Sequence, residues 1–378
     1  MKNPILNLLD FEKAAQKRLP KCIFGFIQGG AEDEVSVQNN LEAFNQYKLL
    51  PRVMVDTTER STETQTFGRT WSAPFAIAPM GAMAVAVADA DRILARAAAS
   101  ANIPFVLSGA SLRRMEQVIA VNESSWFQAY LTAQVADNLS LIQRVENSGF
   151  RTLIITADVA VGANRENDAR NGYTSPLRPS FKLLADGLSQ PRWLLSNFIR
   201  PILTEGMPHF ENFGGEPIPM LSRAGLRLHR RDNFNWESLK HIRDVWKHRL
   251  VLKGILDPED VTRARELGLD GVIASNHGGR QLDCTIAPLA MVEEMSRAAG
   301  SMPVMMDSGV RRGTDVLKAL ALGAQHIFIG RPFLYAAVVG GQAGVTQAIG
   351  LLQAEIYRNM ALLGAVDFSS LRSRIRKT

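Results

Sequence analysis

Eight short apolar runs, spaced along the chain and each ending in polar or small residues, constrain this 378-residue sequence more than any other feature. They are Phe75–Ala78, Phe105–Ser108, Trp126–Tyr130, Thr152–Thr156, Leu250–Lys253, Gly271–Ser275, Val304–Asp307 and His326–Ile329. Amphipathic helical patterns, such as Asp91–Ser100, Gln134–Ser148, Pro258–Leu267 and Thr314–Leu322, separate most of them. Strands alternating with helices predict a parallel sheet, since a parallel connection has to cross back over the sheet. Eight such units with polar strand ends favour closure into a (β/α)8 barrel in the α/β class. An open doubly wound sheet would carry its glycine loop after the first strand, and none is there. Barrels of this class run long, so the simplest expectation is one enlarged barrel over residues 1–378. The segment 159–235, between the fourth and fifth runs, is far longer than the other connections and reads as an insertion, with two competing readings: a lid packed over the active site, or a membrane-contact segment.

The polar strand ends carry the chemistry. After Gly271–Ala274 comes Ser275-Asn276-His277-Gly278-Gly279-Arg280-Gln281, which sets an imidazole three residues from a fixed cation. Histidine accepts a proton near neutral pH and arginine grips a carboxylate with paired donors, so the pair suits proton removal from an anionic substrate. A strand-end turn with a capping His and a surface Arg is the plainer reading, and the loop by itself leaves both open. Further along, Asp307 leads into Ser308-Gly309-Val310-Arg311-Arg312-Gly313, and Ile329 leads into Gly330-Arg331-Pro332. Each is strand, glycine turn, arginine, then helix, a pattern that suits an anion held by main-chain N–H groups. Two such turns near the C-terminus match the phosphate site after the seventh and eighth strands of a barrel. Cys22 and Cys284 are too few for a disulfide framework or a cysteine-rich metal centre, and no metal site is expected. Cys284 reads as a packed bystander.

With these pieces, and with Leu19-Pro20-Lys21 and Gly29-Gly30-Ala31-Glu32-Asp33-Glu34 near the start, the chain resembles the FMN-dependent L-2-hydroxy acid dehydrogenase/oxidase family over nearly its whole length. Thr156–Val161 and Pro191-Arg192-Trp193 look closest to the mandelate dehydrogenase branch, and Lys253–Asp260 to the bacterial lactate dehydrogenase branch. The resemblance implies FMN as cofactor and oxidation of an (S)-2-hydroxy acid to the 2-oxo acid, with electrons passed to a quinone or another carrier. By the same likeness, His277 is the base, Asp158 pairs with its imidazolium, and Arg165 and Arg280 clamp the substrate carboxylate. Lys253 resembles the lysine that supports negative charge on reduced flavin, Tyr130 would offer a hydroxyl to substrate, and Gln128 would face the flavin. Ala78, Pro79, Met80, Ser108, Thr156 and Ser275 match flavin contacts, while Asp307, Gly309, Arg311, Gly330 and Arg331 match ribityl and phosphate contacts. There is one clear departure: Phe26 stands where most of the family has a tyrosine touching the carboxylate. Phenylalanine keeps the ring and loses the donor, which points to a larger or more apolar substrate or to heavier reliance on Tyr130 and the arginines. Gly81, where several relatives carry alanine, is read as leaving extra room. An oxidase using O2, and a flavin-free barrel that binds phosphorylated ligands, remain the alternatives. Relatives of this kind are commonly tetramers, so a homo-oligomer is expected.

Hydrophobic content of 46% with 21% charge describes a globular chain with an ample core. Net charge +6 favours anionic partners, but the charges are dispersed, which argues against nucleic acid. Residues 1–16 lack an apolar signal region, and the most apolar stretch, 73–88, is broken by Pro74, Pro79 and Gly81, short of the ~20 residues a crossing needs. Cytoplasmic residence is expected, with an option for the inner membrane face. That option rests on the insertion, chiefly 176–215, where Trp193–Leu203 concentrates apolar residues between Arg178, Lys182 and Arg192. Leu194, Leu195, Phe198 and Ile199 share a helical face, Pro201 is expected to interrupt the helix, and Trp and Leu would enter the interface.

Overall fold

The computed structural model describes residues 4–132, 134–174, 180–213, 217–222 and 231–378. Arg178 lies outside them, as does the Lys182 side chain. All eight predicted runs become strands of one parallel sheet: β1 Phe75–Ile77, β2 Val106–Ser108, β3 Trp126–Ala129, β4 Thr152–Thr156, β5 Arg249–Ile255, β6 Gly271–Ala274, β7 Val304–Met306 and β8 Ile327–Ile329. Neighbours pair in order from β2 to β8, and β8 pairs β1 through Ile327↔Phe75. A parallel bridge between Ile77 and Phe105 joins β1 to the start of β2, so the sheet closes into a barrel.

Successive strand residues point to opposite faces, and in a closed barrel those faces are the lumen and the helical jacket. Outward residues such as Phe75, Leu107, Phe127, Leu153, Leu252, Val272, Val304 and Ile327 join the large core beneath the helices. Inward, Ala76, Val106, Trp126, Ile154, Val251, Ile273, Met305 and Phe328 form a separate apolar plug, one from each strand. The hairpin Thr64–Thr66 with Arg69–Trp71 closes the bottom: Phe67 at its turn packs on this plug, 5.4 Å from Trp126 between ring centroids. His326, buried beside Thr66, is pushed down to about 4 by desolvation, so it is a neutral packing histidine rather than a base. Two residues further along each strand, the next inward positions are Ala78, Ser108, Gln128, Thr156, Lys253, Ser275, Asp307 and Gly330. The pleat therefore gathers those residues into one layer at the C-terminal mouth.

Between β4 and β5 the chain forms helices Glu166–Asn171 and Phe181–Leu188, then Pro191–Trp193 continuing through Leu194–Ile199 to Arg200–Glu205, and a small hairpin, His209–Phe210 with Ile218–Pro219. The expected break at Pro201 does not occur. Residues 194–199 widen into a π turn, which carries the helix past the missing Pro201 N–H, and Pro201 sits in the first turn of the next helical segment, where that donor is not needed. Trp193 also departs from expectation: its indole N–H donates to the Val85 carbonyl (3.2 Å) and its ring packs inward, so it anchors the insertion instead of facing outward. Asp186 completes the docking by accepting the N–H groups of Lys21 (2.8 Å) and Cys22 (2.7 Å), capping the start of helix Lys21–Gln28.

β5 carries one irregularity, a register shift between Lys253 and Ile255. Gly254 there has φ +97°, and a Cβ added to it would lie 2.6 Å from Asp158 Cγ and 2.8 Å from the Asp158 nitrogen. Gly254→Ala should therefore lower the unfolding free energy by about 1–3 kcal/mol in urea denaturation. An unchanged midpoint would contradict the close approach.

Candidate active site

The third inward layer, one step beyond the mouth residues, brings Tyr130, Asp158 and His277 together. His277, Gly278 and Gly279 all have positive φ (58°, 66° and 75°), a tight turn that throws the imidazole over the barrel. The turn is fixed from below, since Ser275 Oγ accepts the His277 N–H (3.0 Å), Asn276 Oδ1 accepts the Gly279 N–H (3.2 Å) and Ser308 Oγ accepts the Gly278 N–H (3.1 Å). His277 Nδ1 lies 2.9 Å from Asp158 Oδ1. Asp158 does not cap a helix; it orients the ring and leaves Nε2 facing away from it. Burial works against the Asp158 carboxylate, but the charges of His277 and Lys253 outweigh it and hold its pKa below the usual range. Burial dominates at His277, so its pKa stays below that of free imidazole although Asp158 pulls the other way. The pair is thus an ionised carboxylate with a neutral, oriented base.

Lys253 is the second charged centre of the mouth. Its Nζ lies 3.0 Å from Asp307 Oδ2 and donates to Ser275 Oγ (2.8 Å). Desolvation opposes its charge, yet Asp307 and Asp158 raise its pKa overall. Across the lumen, Ser108 Oγ donates to Gln128 Oε1 (3.0 Å), and the buried Gln128 Nε2 donor has no partner among the described residues. A fully buried donor without an acceptor is unfavourable unless a ligand supplies one.

Arg165 and Arg280 converge from two loops. Arg165 donates from Nε to the Arg280 carbonyl (3.2 Å) and from Nη2 to Gln281 Oε1 (3.0 Å). Arg280 donates to the carbonyls of Ile27 and Gly29 and lies 5.1 Å above the Phe26 ring. Among the described residues neither arginine has a carboxylate within ion-pair distance. Burial, Arg165 and Arg331 push the Arg280 pKa well below its ordinary value. Crowded guanidinium groups of this kind favour an incoming anion.

The two glycine turns behave differently from their sequence reading. Asp315 Oδ2 accepts the N–H groups of Arg311 and Arg312 (2.9 Å each), and Glu355 Oε2 accepts that of Gly313 (2.7 Å), so those donors are already used. Gly309 is required by packing: at φ +83°, a Cβ would lie 2.0 Å from the Asn40 carbonyl oxygen. Arg331 turns away from its own turn and donates to Ile27 O (2.8 Å), Gly29 O (2.9 Å) and Gly278 O (3.0 Å), tying the end of helix Lys21–Gln28 to the His277 loop. Arg311 lies 3.9 Å from Glu12. Gly81 also differs, since an added methyl would meet Ala110 Cβ at 2.9 Å and so runs into the β2 loop rather than open room. Cys284 is exposed, with φ +58°, and is not a packed bystander. Met80, with Ala78, lines the space beside Gly330, and Pro79 lies between them in sequence.

Three contributors escaped the sequence reading. Gly254 makes room for Asp158, as above. Arg231, buried at the end of the insertion, places its guanidinium 4.6 Å over the Tyr130 ring. Tyr173 stacks on Phe26 with centroids 4.1 Å apart and planes at 19°. No spacing signal marks Arg231 or Tyr173, because each meets its partner only through the path of the insertion.

The closed barrel thus gathers at its mouth an oriented imidazole, a buried lysine and two guanidinium groups that have no carboxylate within ion-pair distance among the described residues. Comparison with known proteins gives the class. The sequence pattern of the FMN-dependent dehydrogenases matches residues 15–377. (S)-mandelate dehydrogenase of Pseudomonas putida is 40% identical over 375 residues, covering 98% of this chain and 93% of that protein. L-lactate dehydrogenase of Caulobacter vibrioides is 35% identical over 376 residues, covering 97% and 96%. Among solved structures, that of monotopic membrane protein (S)-mandelate dehydrogenase superposes with TM-score 0.92 at 39% identity over all of both chains. A mandelate oxidase structure gives 0.83 at 32% identity, covering 99% of each. The chain belongs to the FMN-dependent dehydrogenase family, whose members oxidise CH–OH groups with FMN as cofactor. The mouth layer fits that cofactor: Gln128 offers an unused buried donor, Ala78 and Gly330 leave the wall low, and Lys253 supplies a buried positive charge.

Breaking the Lys253–Asp307 pair should be costly, because the remaining charge would be buried alone. Lys253→Met should reduce stability by about 3–5 kcal/mol in denaturant titration, with part recovered by adding Asp307→Asn. Equal stability of Lys253→Met and the unaltered protein would show that the two groups are not coupled.

Proposed function

We propose that residues of this mouth bind an (S)-2-hydroxy acid and take up one of the two protons it gives up as it is oxidised to the 2-oxo acid. The observation that carries the reading is the neutral, Asp158-oriented His277 beside two guanidinium groups that have no carboxylate within ion-pair distance among the described residues. Arg165 and Arg280 receive the substrate carboxylate, which fixes the hydroxyl toward His277 Nε2. His277 takes one substrate proton at Nε2 as the O–H and Cα–H bonds both break and the Cα–H electron pair would pass to bound FMN, and Asp158 stabilises the imidazolium that results. Tyr130 faces the same chamber, where Lys253, Asp158, Arg231 and Arg165 all act on its hydroxyl. FMN, held by Gln128, Ser108, Thr156, Ser275 and Lys253 with Asp307, Gly309, Arg311, Gly330 and Arg331 toward its chain and phosphate, supplies the two-electron acceptor. Electrons then leave to a quinone or another carrier.

The substrate we favour carries an apolar, aromatic side chain. Phe26 and Tyr173 offer a stacked aromatic wall beside the carboxylate clamp, and the (S)-mandelate dehydrogenase likeness is the stronger of the two named above. Anaerobic addition of (S)-mandelate should bleach the yellow FMN-loaded protein faster than L-lactate does. His277→Gln should keep the colour and lose bleaching by roughly 10²–10⁴-fold. A colourless protein that gains nothing from added FMN would overturn the reading.

The pH profile follows from the same pair. Neutral His277 is the active form and burial lowers its pKa, so kcat/KM should rise with pH and level off by neutrality. Asp158 raises that pKa from its lowered position; Asp158→Asn should therefore move the acidic limb to lower pH while reducing the plateau. A limb that moves upward would contradict the assignment.

We further propose that residues 1–378 act as one barrel unit in which 159–235 forms a lid that also rests on a membrane surface. The support is an outward apolar face: Phe181 (93% exposed) and Leu203 (80%), with Leu184, Leu188, Leu195 and Phe198, beside exposed Arg192 and Arg200. Such a face gains by entering an interface while the arginines meet acidic headgroups. No helix among the described residues is long and apolar enough to cross a membrane. Binding of the FMN-loaded protein to vesicles of acidic lipid should fall at least tenfold when Phe181, Leu184, Leu188, Leu195 and Leu203 become Ser. Unchanged sedimentation with vesicles would sink the membrane role.

A further inference from the structure

The carboxylate clamp of this chain has an aromatic ring at position 26 but no hydroxyl there. Helix Glu166–Asn171, which starts directly after Arg165, ends at Gly172 with φ +85°, a left-handed cap that turns the chain sharply back. The next residue, Tyr173, is anchored by its N–H to the Asp168 carbonyl (2.9 Å) and is only 6% exposed. Its ring lies flat on Phe26, at 4.1 Å and 19°, while Arg280 sits over Phe26 at 5.1 Å. Arg165, Arg280, Phe26 and Tyr173 thus form one cluster built from helix Lys21–Gln28, the His277 loop and the start of the insertion. The phenol is raised by burial and by Asp168, and lowered by Arg280 and Arg165, so it sits within the field of both guanidinium groups. No hydrogen bond from the Tyr173 hydroxyl is present among the described residues.

We propose that Tyr173 supplies a hydroxyl hydrogen bond to the substrate carboxylate, from the insertion side of the clamp, in place of the donor that Phe26 lacks. A phenol hydroxyl with no hydrogen-bond partner among the described residues, beside two guanidinium groups with no carboxylate within ion-pair distance among them, makes a donor set that suits the carboxylate of a 2-hydroxy acid. The stack then has two parts, with Phe26 giving the apolar wall and Tyr173 giving the same wall plus a donor. The proposal rests on the reading that Arg165 and Arg280 receive that carboxylate. It also makes the insertion a contributor to substrate binding rather than only a cover.

Tyr173→Phe removes one oxygen and keeps the stacked ring, so it separates binding from packing. In the FMN-loaded protein, kcat/KM for (S)-mandelate should fall about 10- to 100-fold, the range of a hydrogen bond to a charged group. The Kd of the 2-oxo acid product, read from the flavin absorbance change, should rise by a similar factor, while flavin content and thermal midpoint stay unchanged. Adding Phe26→Tyr to Tyr173→Phe should restore most of the loss, because the ring positions are adjacent. Turnover and product binding within threefold of the unaltered protein in Tyr173→Phe would overturn the Tyr173 assignment alone. Failure of the unaltered, FMN-loaded protein to bind or oxidise any 2-hydroxy acid would overturn the clamp reading as well.

Discussion

Closure of the eight strands decides which side chains meet, and the rest of the site depends on it. A parallel barrel has a single lumen, and the two-residue period of the pleat sends every second side chain into it. The apolar layer from Ala76 to Phe328 fills the lower lumen, so the next layer up must end at the mouth. There Lys253, Asp307 and Ser275 come within hydrogen-bonding reach although 54 residues (307 minus 253) separate the two charged groups in sequence. Such a buried pair is retained only when its geometry satisfies both charges. It fixes the floor on which the His277 turn stands, since Ser275 serves both Lys253 Nζ and the His277 N–H.

Charge balance links the floor to the clamp. Lys253 lies between the carboxylates of Asp307 and Asp158, with neutral His277 hydrogen-bonded to the latter, whereas Arg165, Arg280 and Arg331 gather above them with main-chain carbonyls and the Gln281 side chain among their partners. Carbonyl dipoles orient these arginines, and three guanidinium groups gathered in one chamber favour an incoming anion. The same contacts couple the insertion to the chemistry. Asp186 caps helix Lys21–Gln28, that helix carries Phe26, and its last carbonyls hold Arg280 and Arg331. The insertion thus meets these arginines directly through Arg165 and indirectly through this short helix.

Much of this was legible in the sequence because it follows local periodicity. The eight strands fall within one or two residues of the apolar runs, and Ala78, Ser108, Gln128, Thr156, Lys253, Ser275, Asp307 and Gly330 share the mouth as a direct result of strand spacing. What was not legible depends on close approach between distant segments. The roles of Gly254, Gly309 and Gly81 are set by Asp158, Asn40 and Ala110, none of which periodicity brings near. Arg331 matches a phosphate contact from its turn, and nothing local announces that its side chain also donates to the Ile27, Gly29 and Gly278 carbonyls. Trp193 was expected outside and packs inside, since amphipathic patterning cannot tell which of two apolar faces finds the barrel first.

A crystal structure of the FMN-loaded protein with a bound 2-oxo acid tests the central claim most directly. The account predicts the ligand carboxylate between Arg165 and Arg280, with its oxo oxygen within hydrogen-bond distance of His277 Nε2. A ligand seated elsewhere, or held with its carboxylate away from both arginines, would contradict it.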